Sequence, residues 1–193
     1  MKIGMQSEVG KIQSLLLKSV HDAFQDQASI DRQWQALNYI DKPDFARAVD
    51  EYEAFVDLLS QFDIEISYSS SDQATGLDSI YVRDTSLVCD KGVILCNMGK
   101  AARQAEPQAI SSVFTTMDVP ILGVIEGDAH VEGGDVAWLN ERTLAIAEGY
   151  RTNAAGITQL RDYLGGCIDE LVVAPLPHWQ GPGDVFHLMS TLS

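Results

Sequence analysis

Apolar residues at Phe45, Val49, Tyr52, Val56 and Leu59 recur at helical spacing through "KPDFARAVDEYEAFVDLLSQF", with Pro43 near its start. That pattern predicts an amphipathic helix over 42–62. The next residues, "DIEISYS", alternate Ile64, Ile66 and Tyr68 as a half-buried strand does. "SIYVRDTSLVCDKGVILCNM" then reads as two strand-like stretches around the turn signal Asp90-Lys91-Gly92. A helix follows in "EPQAISSVFTTM" and an apolar strand in "VPILGVI". The same order returns: "HVEGGDVAWLNERTLAIAE" predicts a hairpin around Asn140-Glu141, and "DELVVAPLP" closes the series as a strand. Between them, "TNAAGITQLRDYLGG" predicts a helix opened by Thr152 or Asn153 and closed by Gly165-Gly166.

Strand, strand, helix, strand is therefore a unit that recurs at roughly 50 residues, a period typical of stacked or ring-like arrays. "EVGKIQSLLLKSV" opens the first copy and "GDVFHLMSTLS" begins a further one. A unit stopped after one strand leaves an unpaired edge, which folded proteins avoid. The expectation is one α/β domain over 1–193, incomplete at its C-terminal end. Asp84, Asp135 and His187 sit in matching phase of the repeat, at intervals of 51 and 52 residues. In a closed ring such positions converge on the axis, so three polar groups distant in sequence could line one pocket.

Composition narrows the possible partners. With 193 residues and 46% hydrophobic content the chain can bury a core. Its net charge of −15, from 13 basic and 28 acidic residues, argues against nucleic acid, which needs a basic footprint. No apolar run approaches the ~20 residues of a membrane helix. "MKIGMQSEVGK" lacks the charged-then-apolar start of a secretory signal, so the expected location is the cytoplasm. The cysteines are Cys89, Cys96 and Cys167, without a CxxC spacing. A zinc cage or disulfide framework is not expected.

Four motifs in order, "LDSIYVRDTSLV", "HVEGGDVAWL", "GYRTNAAGI" and "DVFHLMS", resemble the guanidino-group-modifying enzymes. These include dimethylarginine dimethylaminohydrolase, arginine deiminase and the amidinotransferases, and the likeness extends over nearly the whole chain. The resemblance implies a pentein, an α/β propeller of repeated ββαβ units, with a central pocket for a guanidinium group. It implies a hydrolase in which a cysteine thiolate attacks the guanidine carbon of arginine or an N-methylated arginine. An amine departs, and water resolves the covalent thiouronium to citrulline. Asp84 in "YVRD" matches the substrate-binding aspartate, Glu132 in "EGGD" a second guanidinium-binding carboxylate, and His187 the general acid/base. Arg151 in "YRTN" matches an arginine that grips the substrate's α-carboxylate, Asp78 a further pocket acid, and Arg103 joins the substrate-binding set. Asp135 is expected to hold the hairpin and pocket backbone. No cofactor or metal is implied, the partner is a small guanidino compound, and a homodimer is possible on the family pattern.

Two departures bear on substrate and chemistry. Arginine deiminases carry an aspartate two residues after the histidine, where this chain has Met189. Dimethylarginine hydrolases often show Glu-Asp where it has Arg83-Asp84. The family's nucleophilic cysteine follows the histidine, and Cys89, Cys96 and Cys167 all precede His187. The 193-residue chain alone is thus expected to lack the covalent step. Arginine deiminase or amidinotransferase activity remains an alternative, as does a non-catalytic guanidino-compound binder or partner-dependent subunit. His130, Glu132 and His187 also permit a zinc site, although His-x-Glu on a strand lacks the helical HExxH spacing.

Overall fold

The computed structural model describes residues 4–178, 181 and 186–192. The chain divides into two compact units, Lys11–Val82 and Met1–Gly10 with Arg83–Ser193.

In the unit Lys11–Val82, β1 (Ser14–Leu17) pairs parallel with β2 (Glu65–Tyr68). Three helices connect them: α1 (Val20–Ala23), α2 (Gln27–Gln33) and α3 (Phe45–Leu59). Asp44 caps α3 by accepting from the Arg47 amide, which supplies one of the acceptors an open helix start lacks. The stripe expected from the sequence faces a core of Val20, Phe24, Ile30, Leu37 and Leu77, with Phe45, Val49 and Tyr52 packed against it. Asp78 belongs to this unit, 5% exposed in a 3-10 turn over Leu77–Ile80.

In the other unit the repeat is directly visible. β3 (Ser86–Cys89) pairs antiparallel with β4 (Gly92–Leu95), α4 (Glu106–Thr116) crosses over, and β5 (Ile121–Val124) pairs parallel with β4. β6 (Val136–Asn140), β7 (Thr143–Glu148), α5 (Ala154–Leu164) and β8 (Glu170–Pro175) repeat that order and those pairings. Leu87, Ile94, Met98, Val131, Val136, Trp138, Leu144, Ile146, Leu160 and Leu164 share one core. All four residues of β4 are buried, as an apolar strand run requires when both faces are covered. Asn153 rather than Thr152 caps α5, its side chain accepting from the Gly156 amide. That frees Thr152 for another use.

Two segments differ from the sequence pattern. "SIYVRD" alternates well enough for a strand, yet it folds as 3-10 turns over Leu77–Ile80 and Val82–Thr85. Asp78, Ser79, Asp84 and Thr85 are buried polar residues, and tight turns satisfy backbone groups locally where a strand would need a neighbour. "GDVFHLMSTLS" was expected to open a strand; 183–185 and 193 lie outside the described residues, and a 3-10 turn covers Leu188–Ser190. No helix among the described residues is long and apolar enough to cross a membrane.

Candidate active site

Each ββαβ unit is entered through a 3-10 turn: Val82–Thr85 before β3 and Gly133–Asp135 before β6. These turns carry Asp84 and Asp135, and a third turn begins directly after His187. Residues in or beside these turns therefore present their side chains to one place. Reactive atoms of Asp84, Glu132 and His187 lie within 4.8 Å of one another.

Gly133 and Gly134 make that approach possible. A Cβ on Gly133 would run into the carbonyl oxygens of Arg83 and Ser86, so the two turns meet backbone to backbone. A Cβ on Gly134 would stand 2.5 Å from His187 Nδ1 and 2.6 Å from Asp84 Oδ1. The glycine pair is thus explained by the packing of the carboxylates and the imidazole, with no ligand invoked.

Glu132 is fully buried. Its Oε1 accepts from the backbone amides of Gly99 (3.0 Å) and Lys100 (3.1 Å), and Arg151 Nη1 reaches both carboxylate oxygens at 3.2 and 3.1 Å. Its Oε2 lies 2.9 Å from His187 Nε2. Burial alone would raise the acid's pKa, but the His187 hydrogen bond and the charges of Arg151, His187 and Arg103 outweigh it and hold Glu132 down at about 2. Burial disfavours a charged His187, yet its bond to Glu132 and the nearby Asp84 and Asp135 raise it above the ordinary 6.5. Each of these shifts favours the charged form of its group, imidazolium for His187 and carboxylate for Glu132. Glu132 was expected to grip a substrate directly; the structure instead engages both its oxygens within the protein.

Asp135 is also internal, at 1% exposure. Thr152 Oγ1 donates to its Oδ2 at 2.7 Å and the Leu188 amide to its Oδ1 at 3.3 Å. Thr152 Oγ1 accepts from the Glu132 amide at 3.2 Å, so one hydroxyl ties both acids. Burial raises the Asp135 pKa. By holding the Leu188 amide it fixes the backbone immediately after His187. The amide it accepts from opens the 3-10 turn Leu188–Ser190.

Asp84 Oδ2 accepts from Arg103 Nη1 at 2.7 Å, and its Oδ1 lies 3.8 Å from His187 Nδ1. Arg103 is itself buried, with Glu106 across its Nε and Nη2 at 2.8–3.1 Å. Arg103, expected to bind substrate, thus spends these donors inside the protein. Arg151 retains partial exposure, 20% of its side chain, while contacting Glu132. Residues absent from the sequence-derived set are Glu106, Thr152 and the amides of Gly99, Lys100 and Leu188. "YRTN" already contained Thr152, but the amides had no side-chain signature.

The same Asp84, Glu132 and His187 atoms would suit a small cation, though Glu132 already accepts from several donors and Asp84 from Arg103. His130 lies apart from this group; Asn153 bonds both its amide and its carbonyl. None of the cysteines offers a ready thiolate: all three are buried, and desolvation pushes Cys89 and Cys96 up.

The sequence model described as arginine deiminase matches residues 78–188. A dimethylarginine dimethylaminohydrolase of Pseudomonas aeruginosa is 28% identical over 123 residues, 64% of this chain and 48% of that protein. One from Streptomyces coelicolor is 26% identical over 154 residues, 79% of this chain and 56% of its own. The chain spans about half the length of these curated relatives. Among solved structures, the Pseudomonas aeruginosa enzyme complexed with citrulline, as a cysteine-to-serine variant, gives a TM-score of 0.72 at 22% identity. That match covers 89% of this chain and 64% of the other. An amidinotransferase of saxitoxin biosynthesis from Microseira wollei gives 0.68 at 14% identity, covering 97% and 65%. These likenesses establish a shared α/β fold.

Proposed function

Because this chain belongs to the arginine deiminase family, within the guanidino-group-modifying enzymes, we propose that it carries the binding and proton-transfer machinery of a hydrolase acting on arginine or an N-methylated arginine. The observation that carries this reading is the convergence of Asp84, Glu132 and His187 from separate repeat units. A guanidinium is planar, cationic and rich in donors, and a buried carboxylate is its natural partner. Asp84 offers Oδ1 for that purpose, Oδ2 being held by Arg103.

A thiolate attacks the guanidine carbon and forms a C–S bond. The C–N bond then breaks, and protonated His187 delivers its proton to the departing amine. Neutral His187 next takes a proton from water, which adds to the thiouronium carbon; the C–S bond breaks and citrulline leaves. Glu132 holds the imidazole in place and stabilises its charged form, and Asp135 steadies the backbone beyond it. Arg151, partly exposed, receives the substrate carboxylate. Cys89, Cys96 and Cys167 are all buried, so none of these three is proposed as the source of the thiolate. The two ββαβ units are successive blades of a pentein propeller, and the protein works in the cytoplasm.

The test is product release. The full-length gene product given asymmetric dimethylarginine or arginine is expected to form citrulline and the matching amine, and the purified 193-residue chain to form none. Citrulline from the 193-residue chain would overturn the assignment of the thiolate. No turnover of either substrate by the full-length product would overturn the hydrolase reading. The buried cysteines also favour a second reading, a guanidino-compound binder, which the same assay separates.

A further inference from the structure

Glu106 was not anticipated from the sequence, and its burial at 3% demands an explanation. It sits in the first turn of α4 and holds Arg103 side-on: Nε donates at 3.1 and 3.0 Å to its two oxygens, and Nη2 at 2.8 Å to Oε2. Arg103 Nη1 then reaches Asp84 Oδ2 at 2.7 Å. Three buried charges stand in line, carboxylate–guanidinium–carboxylate, with side-chain exposures of 2%, 4% and 10% from Glu106 through Arg103 to Asp84.

The order of the charges matters. With Arg103 alone beside it, Asp84 would be neutralised by an internal guanidinium of the same chemistry as the proposed substrate. A second buried acid on the far side of Arg103 offsets that cation and leaves one net negative charge among these three side chains. Asp84 Oδ1 then faces His187 with a charge the triad has not compensated internally. Buried charges interact strongly because little solvent screens them, so the far acid acts on the near one through the shared arginine.

We propose that Glu106 is a positioning and selectivity residue that, through Arg103, keeps Asp84 oriented and electrostatically available to a cationic guanidinium in preference to a neutral urea of the same shape. The proposal rests on the guanidino reading of the site and adds to it a basis for separating substrate from product. Arginine and citrulline differ at the relevant end by a guanidinium against a urea, nearly equal in size and different in charge. A site whose triad were neutral would hold citrulline nearly as well as arginine. Product release benefits from the difference.

The test compares arginine and citrulline binding by calorimetry in wild type, Glu106→Gln, Glu106→Asp and the double variant Arg103→Gln/Glu106→Gln. Glu106→Gln is expected to weaken arginine roughly tenfold, a usual size for coupling between linked sites, and citrulline much less. Glu106→Asp keeps the charge and should retain much of the preference. The double variant removes Glu106 and the central Arg103 charge together and again leaves Asp84 with no internal guanidinium beside it, so its arginine-to-citrulline ratio should recover toward wild type even if both affinities fall. A merely structural role predicts the opposite, a double variant no better than the single one.

An NMR titration of His187 supplies a readout that needs no ligand. Glu106→Gln should lower its midpoint, because Arg103 then offsets Asp84, and the double variant should restore it. Equal losses for arginine and citrulline in Glu106→Gln, or an unmoved His187 midpoint, would overturn the inference. If wild type binds neither compound, the guanidino reading fails and the charge coupling stands or falls on the titration. If Glu106→Gln does not fold, the ligand ratio and His187 midpoint of the double variant decide it: wild-type values support the coupling, and loss of both overturns it.

Discussion

Glu132→Gln should destabilise the protein by about 3–5 kcal/mol, the range for breaking one side of a buried charge pair. The carboxylate faces donors on both oxygens: two backbone amides on Oε1, His187 on Oε2 and Arg151 across both. A glutamine must turn its NH₂ toward one of these sets, placing donor against donor. Its neutral carbonyl cannot offset Arg151 or a protonated His187. At roughly 2–4 °C per kcal/mol for a chain of this size, the melting temperature should fall by about 10 °C.

The loss should also depend on pH. Glu132 is lower in the folded state, about 2 against 4.5, so its contribution is present above 4.5 and disappears as pH falls toward 2. His187 is raised above 6.5 in the folded state, so its contribution is complete below 6.5 and is lost as pH rises through the folded value. The gap between wild type and variant should therefore be widest between pH 4.5 and 6.5. Urea unfolding at a series of pH values measures it, and an NMR titration should show the His187 midpoint falling. A variant as stable as wild type throughout would remove Glu132 from the centre of the site.

Gly134→Ala should act on function more than on folding. The added methyl would meet His187 Nδ1 and Cγ at 2.5 and 2.7 Å and Asp84 Oδ1 at 2.6 Å, all side-chain atoms, which must shift to make room. Moving them separates the imidazole from the carboxylate. Displacement of that order in a reacting geometry costs roughly a hundredfold in rate. The expected result is a kcat/KM loss of that size in a variant that still folds, with a lower melting temperature. Gly133→Ala would instead meet two backbone carbonyls, which cannot step aside, and should unfold the turn. Wild-type turnover in Gly134→Ala would show that His187 and Asp84 need not stand as the structure has them.

How much of this was legible in the sequence varies residue by residue. Apolar periodicity revealed both ββαβ units, since burial of one face writes itself into spacing. Asp84 and Asp135 share a phase because equivalent turns precede β3 and β6, and a third turn follows His187. "SIYVRD" misled, since alternation cannot distinguish a strand from tight turns whose polar residues are buried. The direct partners of Glu132 were hidden too: Gly99 and Lys100 contribute backbone amides, which leave no residue-type signal. Glu106 looked like an ordinary acidic helix start, and only its burial against Arg103 sets it apart. Thr152 looked like a helix cap until Asn153 was seen to fill that position.

The central claim is that these converging groups receive a guanidinium at Asp84. Calorimetric titration of asymmetric dimethylarginine into wild type and Asp84→Asn addresses it most directly, since binding does not require the nucleophile. Wild type should bind one equivalent saturably, and Asp84→Asn should bind roughly a hundredfold more weakly, as expected when one partner of a buried charge pair is neutralised. No binding by the folded wild type, or equal affinity in Asp84→Asn, would contradict it.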